Sequence, residues 1–301
     1  MKILVTGSSG TIGTELMQKL LDKGFDVSGI DIANNKWSRA LDARTIIRDL
    51  REKFDLDDSF DLVIHLAANA RVHKLVKNPD LARDNILMTY NVLEFMRKKG
   101  IKRIIFAGSR EVYGSANAGS VREDSPKVSE SSYTASKIAS EALVEAYQLC
   151  YGIDFVIARF SNVYGKYDDK DRVVPLFILN AMKGKDLVVF GEEKTLDFTH
   201  VDDAVKGVLL VIAKFNSVKN NVFNIASGKG VALAYVANRI IDYFKKGNLV
   251  FDSNRTGEIM RYVADISKAK KMLGYAPEIG IDEGITRTIE WYKSNLYKSV
   301  S

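Results

Sequence analysis

Lys2-Ile3-Leu4-Val5-Thr6-Gly7-Ser8-Ser9-Gly10-Thr11-Ile12-Gly13 is the stretch that decides the fold. A run of strand character, Lys2–Thr6, enters glycines spaced Gly-x-x-Gly-x-x-Gly, and a helical pattern begins at once at Thr11. This is a variant of the dinucleotide fingerprint. Small residues permit a tight turn and a close approach of the backbone to a pyrophosphate. The first helical turn then aims its free N–H groups and positive dipole end at the anion. Gly13 allows that helix to pack closely on the sheet. Gly7, Gly10, Thr11, Ile12 and Gly13 are therefore candidate cofactor contacts.

A glycine triplet alone marks only a turn, so its surroundings decide. A second strand-like run, Asp26–Ile30, leads into Asp31, about twenty residues past the turn, where a dinucleotide fold carries an acid for the ribose hydroxyls. The charge of Asp31 would repel a 2′-phosphate, so the sequence predicts NAD; Lys36 and Arg39 are the residues NADP would need. Further strand-like runs are Leu62–Leu66, Arg103–Ala107 and Asp154–Ala158, separated by amphipathic stretches Thr11–Lys23, Pro79–Lys99 and Tyr133–Tyr151. Near-continuous Val/Ile/Leu strands alternating with helices indicate a parallel sheet covered on both faces. The expectation is an α/β protein with a doubly wound parallel (Rossmann) sheet. Past about residue 165 the alternation loosens. Loops Lys166–Arg172, Gly191–Lys194 and Asp252–Glu258 break up shorter elements, and Asp282–Ser294 closes as a helix. Residues 1–165 are read as the NAD-binding domain and 166–301 mainly as a smaller substrate-binding lobe, with segments returning to the first domain.

Composition narrows the class. At 301 residues, 46% apolar and 27% charged, the chain suits a globular enzyme and excludes a disordered one. The apolar run at the N-terminus is too short for a signal-peptide core, and no stretch is long enough to span a membrane. A single cysteine, Cys150, fits a reducing cytoplasm and is read as a buried structural thiol. The net charge of +6 raises nucleic-acid binding, but the basic residues are scattered, with Arg97-Lys98-Lys99 the longest run. A mildly positive cleft for a phosphate-bearing substrate accounts for that excess equally well.

The chemistry starts at Tyr133-Thr134-Ala135-Ser136-Lys137. Spacing of four places Tyr133 and Lys137 on one helix face. A free phenol, with a pKa near 10, is a poor base at neutral pH; a nearby ammonium and a cationic nicotinamide favour the phenolate. Upstream, strand Arg103–Ala107 runs into Gly108-Ser109-Arg110-Glu111-Val112-Tyr113-Gly114, which puts Ser109 at a strand's C-terminal end, where the crevice should be.

On these motifs the chain resembles the extended short-chain dehydrogenase/reductase family, in its nucleotide-sugar epimerase and dehydratase branch. Matching segments run almost end to end. His65-Leu66-Ala67-Ala68 is similar to the family's third-strand motif and Asp49-Leu50 to its adenine-contacting pair; Asn85 opens a stretch like its Asn-Val-x-Gly-Thr helix, with Met88 for the glycine. Arg159-Phe160-Ser161-Asn162-Val163-Tyr164-Gly165, Val174-Pro175, Asp197-Phe198-Thr199-His200-Val201-Asp202-Asp203, Arg255-Thr256-Gly257-Glu258 and Leu273-Gly274-Tyr275-Ala276-Pro277 resemble later segments. The resemblance implies Ser109, Tyr133 and Lys137 as the catalytic set. It adds Asp49, Leu50, Leu66, Ala67, Ala68 and Asn85 to the cofactor contacts. Asn162, Val174 and Arg255 become contacts to a nucleotide-sugar substrate, and a homodimer through Pro79–Lys99 and Tyr133–Tyr151 is expected. Leu196 replaces a phosphate-binding arginine of the family, leaving Lys194 as the candidate substitute.

Arg110 stands where the family's 4,6-dehydratases carry an acidic aspartate; an arginine cannot deliver a proton, which argues against 4,6-dehydration. Glu111 has two open readings, acid–base work at C5 of the sugar or a structural carboxylate. The expected reaction is 4-epimerisation of the UDP-glucose/UDP-galactose type. A decarboxylase, a carbonyl reductase and a non-catalytic NAD-binding protein are the alternatives.

Overall fold

Seven parallel strands build the central sheet of the computed structural model, which describes residues 1–115, 120–168 and 171–296. Their spatial order is Asn221–Ile225, Asp154–Phe160, Arg103–Ser109, Leu62–His65, Lys2–Thr6, Asp26–Asp31 and Thr45–Ile47. From Lys2–Thr6 the chain first winds one way, through Asp26–Asp31 to Thr45–Ile47, and then the other way from Leu62–His65. The loops leaving Lys2–Thr6 and Leu62–His65 therefore diverge and open a crevice at the strands' C-terminal ends.

Strand periodicity divides the core. Ile3 and Val5 point to one side, among Leu16, Met17, Val205 and Val208 of helices Thr11–Asp22 and Val201–Val218. Leu4 points to the other, among Val92, Leu93 and Val144 of helices Asp80–Lys99 and Ser132–Tyr151. Both faces are thus dry, which is why these strands read as unbroken apolar runs.

A second core lies over the crevice. Strands Asn162–Tyr164, Thr195–His200 and Gly230–Ala232 form one small sheet, and Leu187–Phe190 pairs with Leu249–Asp252. Helices Val173–Met182, Leu233–Phe244 and Ile281–Leu296 cover them, burying Phe177, Val189, Leu196, Val236 and Ile289. The chain visits the two cores repeatedly. Val112, Tyr113 and Val121 sit in the second, whereas Val208, Phe223 and Leu273 sit in the first.

The strands and helices read from the sequence occur, with ends shifted by a residue or two. The edge strand Thr45–Ile47, three residues long, gave too short a pattern to be read, and Asn221–Ile225 joins the parallel sheet after a long excursion. Positions 169–170 of the predicted loop Lys166–Arg172 lie outside the described residues. Cys150 is a correction: it is exposed, beside exposed Leu149 and Tyr151 at the end of its helix. No described helix is long and apolar enough to cross a membrane.

His65 illustrates how tightly the sheet is sealed. Its Nδ1 shares a 2.6 Å hydrogen bond with Thr6 Oγ1, and Nε2 lies 3.3 Å from Thr89 Oγ1. Burial, reinforced by the Lys137 charge, pushes its pKa from 6.5 to about 3. Below pH 6.5 the unfolded chain binds a proton that the native ring refuses, so stability falls as pH falls toward 3. Between pH 6.5 and 5 this amounts to about 2 kcal/mol. Urea unfolding at the two pH values should show that loss in the wild type and not in His65→Gln; equal losses would refute it.

Candidate active site

A cavity of about 530 Å³ occupies the crevice, lined by the glycine turn, Asp31, Asp49, Leu50 and the run Leu66, Ala67 and Ala68. Two of the turn's three glycines leave no room for a side chain. A Cβ on Gly7, whose φ is +71°, would lie 2.7 Å from Ala67 N, and one on Gly13 would lie 2.1 Å from Gly7 O. A backbone packed this closely beside an open cavity and a helix N-terminus fits a dinucleotide's pyrophosphate. Asp31 accepts from Ser9 N–H at 2.9 Å and Ala33 N–H at 3.1 Å, so its carboxylate is fixed at the cavity wall. Asp31→Ser should lower NAD affinity and narrow the margin over NADP. Titrating both cofactors checks this, and an unchanged NAD-to-NADP ratio would count against the assignment.

Two expected cofactor contacts have other partners. The Asp49 carboxylate is gripped by Arg51, with Nε at 2.9 Å and 3.0 Å, which holds it below the usual carboxylate range. Any adenine contact by Asp49 competes with that grip. Asn85 is buried and does not line the cavity. It accepts from Asn69 N–H at 2.7 Å and donates to Asn69 O and Ser136 Oγ at 3.1 Å each. Asn85 braces the loop that does line it.

The helix Ser132–Tyr151 starts where Ser131 Oγ accepts from Thr134 N–H at 3.1 Å, an N-cap that sets Tyr133 and Lys137 against the strand Arg103–Ser109. Lys137 Nζ donates to Ala107 O at 2.8 Å, and the Ser109 hydroxyl is near enough to Tyr133 to favour its phenolate. Burial pushes the Lys137 ammonium down to about 8, with Glu141 acting in the opposite sense. The expectation that Lys137 depresses the Tyr133 pKa needs correction for the protein alone. Burial raises the phenol above its ordinary value, and the opposing influences are Ser109, Arg172 and Arg110.

Beside the first cavity lies a second of about 230 Å³; Ala70, Val163 and Arg172 line both. Glu111, Asn162, Val174, Lys194 and Arg255, scattered over 145 positions of sequence, all line the second one. Asn162 Nδ2 donates to Asp197 O at 2.9 Å. The Arg255 guanidinium stacks 3.8 Å above Phe190. Lys194 Nζ is held by Glu258 at 2.7 Å and Asn254 at 3.0 Å, while Leu196 forms apolar wall where the family arginine was expected. Ala107 borders the first cavity, and Arg110 and Glu111 border the second. Ser109 lies between them on the chain, but Ser109, Tyr133 and Lys137 are all buried and are not among the residues lining either cavity. Sequence reasoning missed Arg71, His73 and Arg172 of the cavity wall, which carry no motif and are assembled only by tertiary contact.

The model of the NAD dependent epimerase/dehydratase family matches residues 3–226. A putative UDP-glucose 4-epimerase of Methanocaldococcus jannaschii is 37% identical, over 97% of this chain and 99% of that one. A dTDP-glucose 4,6-dehydratase of Streptomyces antibioticus is 32% identical, over 98% and 93%. The crystal structure of the UDP-glucose 4-epimerase of Thermotoga maritima with UDP-glucose aligns at a TM-score of 0.90 and 28% identity, covering 98% of this chain and 100% of that one. The chain belongs to the NAD dependent epimerase/dehydratase family, an enzyme family whose cofactor is NAD and whose members named above work on nucleotide sugars.

Proposed function

We propose that this enzyme interconverts the C4 epimers of a nucleotide sugar, with Ser109, Tyr133 and Lys137 as its catalytic set. The observation that carries the reading is the placing of Tyr133 and Lys137, at the start of one helix, against the strand that ends in Ser109, with Lys137 Nζ on Ala107 O and with Ala107 and Arg110 lining one cavity each. When bound, NAD supplies reversible oxidation at C4 and a positive charge near the phenol. Gly7, Gly10, Thr11, Ile12 and Gly13 would receive its pyrophosphate, Asp31 a ribose, and Lys137 the nicotinamide ribose. Tyr133 Oη takes the proton of the C4 hydroxyl and returns it after the sugar has presented its other face. Ser109 Oγ donates to the C4 oxygen as it gains carbonyl character. Arg255, pinned on Phe190, and Lys194 supply the charge that a diphosphate requires.

Epimerisation is favoured over 4,6-dehydration because Arg110 offers no transferable proton beside the pair. Glu111 supports a second reading, acid–base chemistry at C5. Its carboxyl is buried and pushed above the usual range chiefly by that burial.

Proton NMR of the NAD-loaded enzyme with UDP-galactose tests the proposal. UDP-glucose should accumulate to equilibrium without net NADH. No C4 epimer from UDP-, dTDP- or GDP-linked hexoses or from UDP-glucuronate would remove it.

A further inference from the structure

Both tryptophans of the chain meet one tyrosine. Trp37, in the loop that follows Asp31, and Trp291, in the helix Ile281–Leu296, lie edge to face with ring centroids 4.9 Å apart. Tyr167 packs on both, 6.1 Å from Trp37 and 5.3 Å from Trp291. These are the separations of attractive ring pairs. Tyr167 has a φ of +63°, a left-handed backbone that a residue with a side chain keeps only where its surroundings impose it. The next residue, Asp168, is buried, and its carbonyl oxygen accepts from Tyr292 Oη at 2.8 Å. Trp291 and Tyr292 therefore hold two consecutive residues of one strap.

The other side of that strap is fastened to the cofactor helix Thr11–Asp22. Thr11 Oγ1 shares its hydrogen between Tyr167 O at 3.2 Å and Asp168 Oδ1 at 3.1 Å. Lys166 Nζ pairs with buried Glu15 Oε2 of the same helix at 2.9 Å. Thr11 is the first residue of that helix and borders the cofactor cavity, at the end whose N–H groups and dipole suit a pyrophosphate. The Trp37 loop reaches the same place by another route, since Ser9 Oγ in the glycine turn donates to Ala33 O at 2.8 Å. Trp37 and Tyr167 both wall a space of about 320 Å³ that shares Gly10, Thr11 and Lys36 with the cofactor cavity. Groups that bind a ligand keep their geometry only when an outer layer of packing locks them.

We propose that Trp291 and Tyr292 are positioning residues of the NAD site. Acting through Tyr167 and Asp168, they hold Thr11 and the helix end that receives the pyrophosphate, and so set how long the cofactor stays bound. Retention of NAD by these contacts is the same whichever sugar reaction follows.

Release of NAD from the loaded enzyme tests this, read as NADH absorbance while an excess of alcohol dehydrogenase with ethanol traps the freed cofactor. Trp291→Ala should release NAD about tenfold faster and Tyr292→Phe about threefold faster, the usual worth of ring pairs and of one hydrogen bond. Trp291→Phe, which restores a ring, should return to near the wild-type rate. Thr11→Val severs the strap from the helix, so adding Trp291→Ala to it should speed release little further. Ile289→Ala, on the same helix but in the second core, should melt earlier and release NAD as the wild type does. Tyr292→Phe stands in if Trp291→Ala does not fold. Wild-type release from Trp291→Ala and Tyr292→Phe, no rescue by Trp291→Phe, equal acceleration in Ile289→Ala, or effects that multiply in the double variant would each overturn the proposal.

Discussion

Tyr133→Phe is expected to reduce turnover by about a thousandfold, the usual worth of a positioned acid–base group. NAD affinity should hardly change. The substitution removes one oxygen from a buried ring, leaves the N-cap at Ser131 intact and keeps Lys137 bonded to Ala107 O. The Ser109 hydroxyl still accepts from Glu111 N–H at 3.2 Å. Single-turnover kinetics beside an NAD titration would separate the two effects. A variant retaining a tenth or so of wild-type turnover would exclude Tyr133 as the base.

Gly13→Ala should be the most damaging small substitution in the cofactor site. Its Cβ would stand 2.1 Å from the Gly7 carbonyl oxygen and 2.8 Å from Ser8 Cα, both backbone atoms of the pyrophosphate turn. Overpacking costs about 1–3 kcal/mol where side chains can give way. Here the backbone must move, so the loss belongs at the upper end or beyond, and NAD binding should fail with it. Gly10→Ala is the matched control. Its Cβ would meet nothing nearer than Gly7 O at 3.4 Å, so its thermal midpoint should stay near the wild type. Equal melting temperatures for the two variants would contradict the packing argument.

These residues also show what was legible before any coordinates. The glycine turn, Asp31 and the Tyr133/Lys137 spacing are local devices: each places its functional atoms within one turn, strand end or helix face, so sequence distance stands in for spatial distance. Ser109 was legible because strand ends in a doubly wound sheet point to one place. The character of Arg110 was not. Its neighbour Glu111 is adjacent in sequence, but the ring beneath it, Tyr262, comes from 152 residues later, and a buried Nη1 without a hydrogen-bond partner exists only once that packing is complete. The Asp49–Arg51 grip was missed for a different reason, since two residues apart in sequence says nothing of side-chain direction in a loop. Cys150 misled because helical periodicity near a helix end was read as if the helix were covered there, whereas its last turn faces outward.

The way the chain shuttles between its two cores bears on how such a protein can be altered by recombination. A gene fragment ending at residue 165 would lack Val208, Phe223 and Leu273, which fill the core beneath Ile3 and Leu16. It would also strip Asn221–Ile225 from its place beside Asp154–Phe160, baring a long apolar edge open to aggregation. A downstream fragment would lack Val112, Tyr113 and Val121. Neither half is a cassette that could be traded for another. New specificity on this framework has to come from changes at single wall positions such as Arg110 and Leu196, introduced into a chain that folds as one piece.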